Sequence, residues 1–290
     1  MQSFGDRNPI AVTVFFLTVA GISMFCMNPL LLILSLIGSL LLTLAQTDKK
    51  RGISHLYMLA LWLGMTFLNP LVSHNGMTVL FVMNNNPVTL EALIYGSAAA
   101  TMIVSVMYWF RAYAAMMTSD RLLYLFGAVS PKFALILSMS LRYVPLFGTQ
   151  VRKISQTQKA LGLYKENNII DTCRGGLRIF SVMVTWALEN GIVTADSMTA
   201  RGYGIGRRSR FAIFRFTRQD ACLLLLSLLL AGAAAWGLAG VSFTYYPTIS
   251  LSGDFCRGIT GCIAYLVLTL VPLLIEGKET IKWNCLRSKI

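Results

Sequence analysis

The sequence predicts an all-α fold: a polytopic membrane helix bundle of about six spans with two long amphipathic cytoplasmic helices. Apolar residues make up 56% of the 290 residues and charged residues 13%, about half the share of roughly a quarter that is typical of soluble domains. Several apolar runs approach the roughly 20 residues that a helix needs to cross the hydrocarbon core. The predicted spans are Ile10–Met27, Pro29–Ala45, Ser54–Val72, Thr89–Phe110, Ala221–Val241 and Gly258–Ile275.

The positions of Lys and Arg predict the orientation of these spans. Lys49, Lys50 and Arg51 lie between the second and third spans, and residues 111–218 hold 16 Lys/Arg against 5 Asp/Glu. Because basic loops face the cytoplasm, this pattern places both termini there. The first apolar run has no evident cleavage site and is expected to be a retained helix. The predicted domains are 1–110 with four transmembrane helices, 111–219 as a cytoplasmic region, and 220–290 with two more helices and a cytoplasmic tail.

Start and stop signals divide the basic loop into helices. Ser119 and Ser130 are predicted N-caps, Gly127 a stop, and Gly175 with Gly176 a break. Apolar residues then recur at helical spacing on two longer helices. These stripes are Val144, Phe147, Val151, Ile154 and Leu161 on the first, and Leu177, Phe180, Val184, Leu188, Ile192, Ala195 and Met198 on the second. Such helices bind lipid, pack on each other or present a face to a protein, and a narrow stripe favours mutual packing.

The sequence offers no sign of a catalytic or cofactor site. It contains no phosphate-loop motif, so no ATPase activity of its own is expected. Gly202, Gly204 and Gly206 follow a helical pattern rather than a strand, which argues against a dinucleotide loop. His55 and His74 are expected on opposite membrane sides, without the cluster that a metal needs. The basic residues flank spans without interleaved stacking aromatics, so nucleic acid is not an expected partner.

Two passages in the basic loop end alike. The first opens with Arg142 and Pro145 and leads to Ala160-Leu161-Gly162, and the second leads to Ala200-Arg201-Gly202. This arrangement resembles the transmembrane T component of energy-coupling factor (ECF) transporters. That family has two cytoplasmic coupling helices that each end in Ala-Arg-Gly, with Arg-x-x-Pro opening the first. The chain departs from the pattern at Leu161, where the family has arginine.

The resemblance implies a transmembrane scaffold and coupling subunit of an ATP-driven importer of a vitamin or other micronutrient. Its expected partners are two ABC-type ATPase subunits, a small substrate-binding membrane subunit and the bilayer of a prokaryotic cell. An alternative is a stand-alone membrane channel or enzyme whose basic loop binds lipid. No cofactor or metal is expected.

The resemblance also assigns roles to residues. Arg142 and Pro145 would shape the first coupling helix. Arg201 would hold a partner carboxylate with its planar fork, or simply stabilise a helix C-terminus. At the first ending, either Lys159 supplies the charge that Leu161 lacks, or the partner differs there. The expected ATPase-docking residues are Ala200, Arg201, Gly202, Lys159, Ala160, Leu161 and Gly162.

Overall fold

The computed structural model describes residues 4–46, 52–73, 76–83, 86–163, 169–206, 214 and 216–287. A short 3-10 helix at Phe4–Asp6 precedes the first α-helix. The helices are α1 (Pro9–Phe25), α2 (Pro29–Gln46), α3 (Gly52–Val72), α4 (Leu90–Met116), α5 (Ser119–Val129), α6 (Pro131–Ala160), α7 (Ile169–Ala200), α8 (Arg218–Ala239) and α9 (Phe255–Arg287). The strands are β1 (Val79–Met83), β2 (Asn86–Thr89), β3 (Val241–Thr244) and β4 (Ser250–Gly253).

The chain divides into two compact units. The membrane unit consists of Met1–Arg121 and Phe214–Ile290, and the loop unit consists of Leu122–Ile213. Within the described residues of the membrane unit, α2, α3, α4, α8 and α9 are long and apolar enough to cross a membrane. This finding confirms the predicted all-α membrane helix bundle. The first predicted span forms α1, a shorter apolar helix of 17 residues, which rises about 25 Å at about 1.5 Å per residue.

A shared hydrophobic core holds five helices of the membrane unit together. Trp109 on α4 and Tyr265 on α9 are fully buried among side chains from α1, α2 and α8. The indole Nε1 of Trp109 donates to the Ser35 hydroxyl of α2 at 3.0 Å, and the Tyr265 hydroxyl donates to the same oxygen at 2.9 Å. Gly237 brings α8 close to α9, because a Cβ there would lie 2.6 Å from the Cα of Gly261.

The start of α8 is tied to the N-terminal segment. Thr217 and Asp220 form a capping box, in which the Thr217 hydroxyl oxygen accepts the backbone N–H of Asp220 at 3.4 Å and Asp220 Oδ2 accepts the backbone N–H of Thr217 at 3.0 Å. The other oxygen, Asp220 Oδ1, accepts the backbone N–H of Asn8 at 3.3 Å. The Asn8 side chain in turn caps α1 by accepting from the N–H of Ile10. One buried carboxylate therefore joins the two helix starts.

Two β-hairpins, which the sequence did not predict, occupy connections between spans. Strands β1 and β2 pair antiparallel between α3 and α4, and β3 and β4 pair antiparallel between α8 and α9. Hydroxyl pairs line the second hairpin, with 2.6 Å between the Ser242 and Ser252 oxygens and 2.7 Å between those of Thr244 and Ser250. Both hairpins lie in connections that carry few basic residues.

The helices of the loop unit are longer than its glycine residues predicted. The expected stop at Gly127 is wrong, because α5 continues to Val129. The expected break at Gly175 and Gly176 is also wrong, since α7 runs through both residues and Gly175 is buried. Glycine costs a helix only about 1 kcal/mol relative to alanine, which tertiary packing readily offsets. The basic runs 49–51 and 207–210, the polar segment 165–168 and His74 lie outside the described residues.

Candidate docking surface

Helix α6 ends in a glycine-terminated cap. Gly162 adopts a φ of +67°, in the left-handed region where a residue without a Cβ is favoured. Its N–H donates to the carbonyl of Lys159 at 3.0 Å, and the N–H of Leu163 reaches back to the carbonyl of Gln158 at 3.2 Å. These two bonds define a Schellman motif, which satisfies carbonyls that the last helical turn would leave unpaired.

Helix α7 ends in the same way. Gly202 has a φ of +73°. Its N–H donates to the carbonyl of Thr199 at 2.9 Å, and the N–H of Tyr203 donates to the carbonyl of Met198 at 3.0 Å. Each bond spans the same number of residues as its counterpart on α6. The two helix ends therefore share one backbone arrangement.

Leu161 and Arg201 occupy equivalent positions, immediately before the left-handed glycine. The N–H of Leu161 bonds to the carbonyl of Thr157 at 3.0 Å, and that of Arg201 bonds to the carbonyl of Ser197 at 3.2 Å. Both side chains are exposed. Leucine in place of arginine thus changes the chemistry of the first helix end while its backbone stays the same.

Helices α6 and α7 pack against each other in an antiparallel manner. The hydroxyl oxygens of Tyr143 and Thr194 lie 2.9 Å apart, and the rings of Phe147 and Trp186 meet edge to face with centroids 5.6 Å apart. A later residue of α6 therefore contacts an earlier residue of α7, so the two helices run in opposite directions. The helix ends at 161 and 201 consequently lie at opposite ends of the pair, roughly 30–40 Å apart at about 1.5 Å per residue.

The predicted apolar stripe of α7 is not the seam between the two helices. Leu177, Phe180, Val184, Leu188 and Ile192 are between 41% and 70% exposed. The buried face of α7 instead carries aromatic and polar side chains at helical spacing, on a different side of the helix. That face includes Met183, Trp186, Asn190 and Thr194. The stripe is therefore an uncovered surface of the loop unit, and mutual packing, the use that its narrowness favoured, is wrong for α7.

Comparisons with known proteins identify relatives of this chain, although no family model matches it. A 107-residue segment is 32% identical to the ECF transporter transmembrane protein of Listeria innocua and covers 36% of this chain and 40% of that relative. The proteins of the same name from Listeria monocytogenes and Lacticaseibacillus paracasei are 32% and 31% identical over 98 and 91 residues, covering 32% and 31% of this chain. Over this segment the chain is similar to the ECF transporter transmembrane component.

These relatives confirm the predicted resemblance, over a matched segment that spans 37% and 34% of the Listeria monocytogenes and Lacticaseibacillus paracasei proteins. Together with the apolar helices of the membrane unit, they identify a multi-pass membrane protein. Docking roles for individual residues stay predictions.

The structure separates the expected site residues into groups. Lys159, Ala160, Leu161 and Gly162 lie at one end of the helix pair, and Ala200, Arg201 and Gly202 lie at the other. Arg142 and Pro145 are exposed within α6, which begins at Pro131. Pro145 therefore lies in the interior of that helix.

The residues that join α6 and α7 were not predicted from the sequence. Tyr143, Phe147, Trp186 and Thr194 form the seam, yet only Phe147 belongs to a predicted stripe. A search for aromatic and hydroxyl side chains at helical spacing would have found Trp186 and Thr194 on one face of α7. Apolar periodicity alone could not, because the more apolar face is the exposed one.

Proposed function

We propose that this chain is the transmembrane scaffold and coupling subunit of an ATP-driven ECF-type importer of a vitamin or other micronutrient. It would reside in a prokaryotic cell membrane with both termini and the loop unit in the cytoplasm. Two ABC-type ATPase subunits would hydrolyse ATP, and a small membrane subunit would bind the substrate. The names of the homologues, the apolar helices and the basic loop support this proposal.

The observation that carries the proposal is the pair of matched helix ends. Two exposed ends with the same cap lie far apart on one pair of packed helices, an arrangement suited to engaging two partner subunits at once. The planar guanidinium of Arg201 can hold a carboxylate through two hydrogen bonds. The following Gly202 has no side chain to keep a partner backbone away. Arg201 also lies where a cation interacts favourably with the C-terminal end of the helix dipole.

The exposed apolar stripe of α7 gives the loop unit a third contact surface. Five of its seven residues, Leu177, Phe180, Val184, Leu188 and Ile192, form an apolar face that is uncovered in the isolated chain. We assign this stripe to the substrate-binding membrane subunit, whose own surface is expected to be apolar. Motion of the ATPases at the helix ends would then reach that subunit through α7.

The test is purification from the native membrane followed by uptake measurements in proteoliposomes. The wild-type chain should bring down two ATPase subunits, and Arg201→Ala should weaken their association. Loss of a charge-assisted contact worth about 1.5–3 kcal/mol corresponds to a roughly 10- to 150-fold weaker complex. Arg178→Ala is the matched control, because Arg178 is an exposed arginine within the same helix.

Two outcomes would contradict the proposal. If the purified chain alone moves a solute across liposomes, it is a stand-alone channel or transporter. If Arg201→Ala and Arg178→Ala both assemble and support uptake at the wild-type rate, Arg201 is not a docking residue.

A further inference from the structure

We infer that the two coupling-helix ends recognise chemically different partner surfaces: Arg201 meets a carboxylate, whereas Leu161 and Leu163 meet an apolar pocket. The inference rests on the proposed function, since it assigns the partner chemistry of the same docking ends. The partner at the first end is an ATPase subunit whose docking groove is apolar opposite Leu161.

The matched caps allow the two ends to be compared position by position. Because each glycine has the same conformation and each backbone hydrogen bond has the same register, Leu161 and Arg201 leave their helices in equivalent directions. The alanine before each of them is also identical. The difference between the ends therefore lies in the side chains rather than in the shape of the backbone.

Lys159 cannot take over the role of the missing arginine. It lies two positions before Leu161, and residues two apart on a helix point in directions about 200° apart. The counterpart of Lys159 at the second end is Thr199, which precedes Arg201 by the same interval. Within residues 157–163 and 197–203 each end thus carries one Lys or Arg, but on opposite sides of its helix. If the two partner grooves were alike, a carboxylate that meets Arg201 at the second end would face Leu161 at the first end.

The first end instead presents an apolar surface. The side chain of Leu161 is 69% exposed, and that of Leu163, just beyond the glycine, is 44% exposed. At the second end the corresponding residues are Arg201 and Tyr203, both of which carry polar groups. A carboxylate buried against leucine would lose its water without gaining a hydrogen bond, which is unfavourable. The groove that receives the first end must therefore lack that carboxylate, and so it differs from the groove that receives Arg201.

The test compares Leu161→Arg and Arg201→Leu in the assembled complex. Each variant is purified from the native membrane, and the bound subunits are identified and counted by native mass spectrometry. Leu161→Arg should weaken binding of one ATPase subunit at least tenfold, and Arg201→Leu should weaken binding of the other. Leu161→Met, which keeps an apolar side chain of similar volume, should bind both subunits as the wild type does. Thermal unfolding of each purified chain checks that the helix ends remain folded.

The possible failures are distinct. If the wild-type chain brings down no ATPase, the proposed function is wrong. If the wild-type complex contains two copies of one ATPase, or if Leu161→Arg binds both subunits within twofold of the wild type, the inference is overturned while the proposed function stands. If both variants lose the same subunit, the two ends do not have separate partners and the inference is overturned as well.

Discussion

The membrane unit and the loop unit bury their side chains to very different degrees. The membrane unit encloses Trp109, Tyr265 and a large group of aliphatic residues completely. In the described part of the loop unit, by contrast, Gln158, Gly175 and Met183 are the buried residues. Both units consist of long helices, so helix formation does not explain the difference. Both units expose apolar side chains, but among the described residues the membrane unit alone also encloses a large apolar core.

This contrast shows where each unit obtains its stability. Helices of the membrane unit are held by their neighbours, whereas α6 and α7 meet along a seam of a few aromatic and hydroxyl side chains. Most helical stability in proteins comes from packing of an apolar face. A helix pair with an unpacked apolar face is therefore expected to gain stability from its partners. Three predictions follow from the contrast, from the largest expected effect to the smallest.

The first prediction compares a buried aromatic residue with an exposed one. Trp109→Ala should lower the free energy of unfolding of the membrane unit by about 3–5 kcal/mol, because it leaves a cavity in the core. Phe180→Ala, at a side chain that is 67% exposed, should change the free energy of unfolding by less than about 0.5 kcal/mol. Chemical unfolding in detergent micelles measures both values. Equal losses for the two variants would show that the stripe on α7 is packed within the chain.

The second prediction compares the two helix ends. Gly162→Ala and Gly202→Ala should each destabilise the local cap by about 1–2 kcal/mol, because an L-residue is strained at positive φ. Since the two caps share one geometry, the losses should be equal, and the backbone N–H groups of Leu163 and Tyr203 should exchange faster with solvent. Hydrogen exchange with mass spectrometry measures this effect.

A matched control for the caps lies within α6. Gly148 is a helical glycine with open space around the position of its missing Cβ. Gly148→Ala should therefore leave α6 unchanged or stabilise it by up to about 1 kcal/mol. If exchange at the two caps responds unequally to alanine, the two ends are not equivalent in solution.

The third prediction concerns the seam of the loop unit. Tyr143→Phe removes the hydrogen bond to Thr194 and should cost about 0.5–1.5 kcal/mol, with no effect on the membrane unit. A double-mutant cycle with Thr194→Val isolates the interaction between the two side chains. Additive effects in that cycle would mean that the two hydroxyls do not contact each other in solution.

The spans were predictable because crossing a bilayer depends on length and composition alone. The ends of the helices were less so: α4 continues to Met116 and α9 to Arg287, well past the predicted boundaries at Phe110 and Ile275. The predicted spans end where charged residues begin, but a helix continues through charged residues because its backbone hydrogen bonds do not depend on the side chains. The hairpin of β1 and β2 was missed partly because Pro87 lies within β2, and proline normally weakens a strand assignment.

The two helix ends of the candidate site were predictable from the sequence, but the contact between α6 and α7 was not. Glycine after a helical pattern is a strong stop signal, and both Gly162 and Gly202 end helices as expected. Gly127 and Gly175 carry the same signal but lie inside helices. Apolar spacing, in turn, cannot distinguish a helix face that packs inside the chain from one that stays exposed. The stripe on α7 was therefore predicted correctly as an apolar face, but it does not form the contact with α6 that its narrowness favoured.

The hydroxyl of Ser35 has a mechanical consequence for the membrane unit. Its oxygen accepts from Trp109 on α4 and from Tyr265 on α9, so a single atom on α2 sets the register of three helices. Sliding any one of them along its axis would leave the Trp109 N–H or the Tyr265 O–H without its hydrogen bond to Ser35 in an apolar interior. These three helices should therefore resist shear and respond to an applied force as one block.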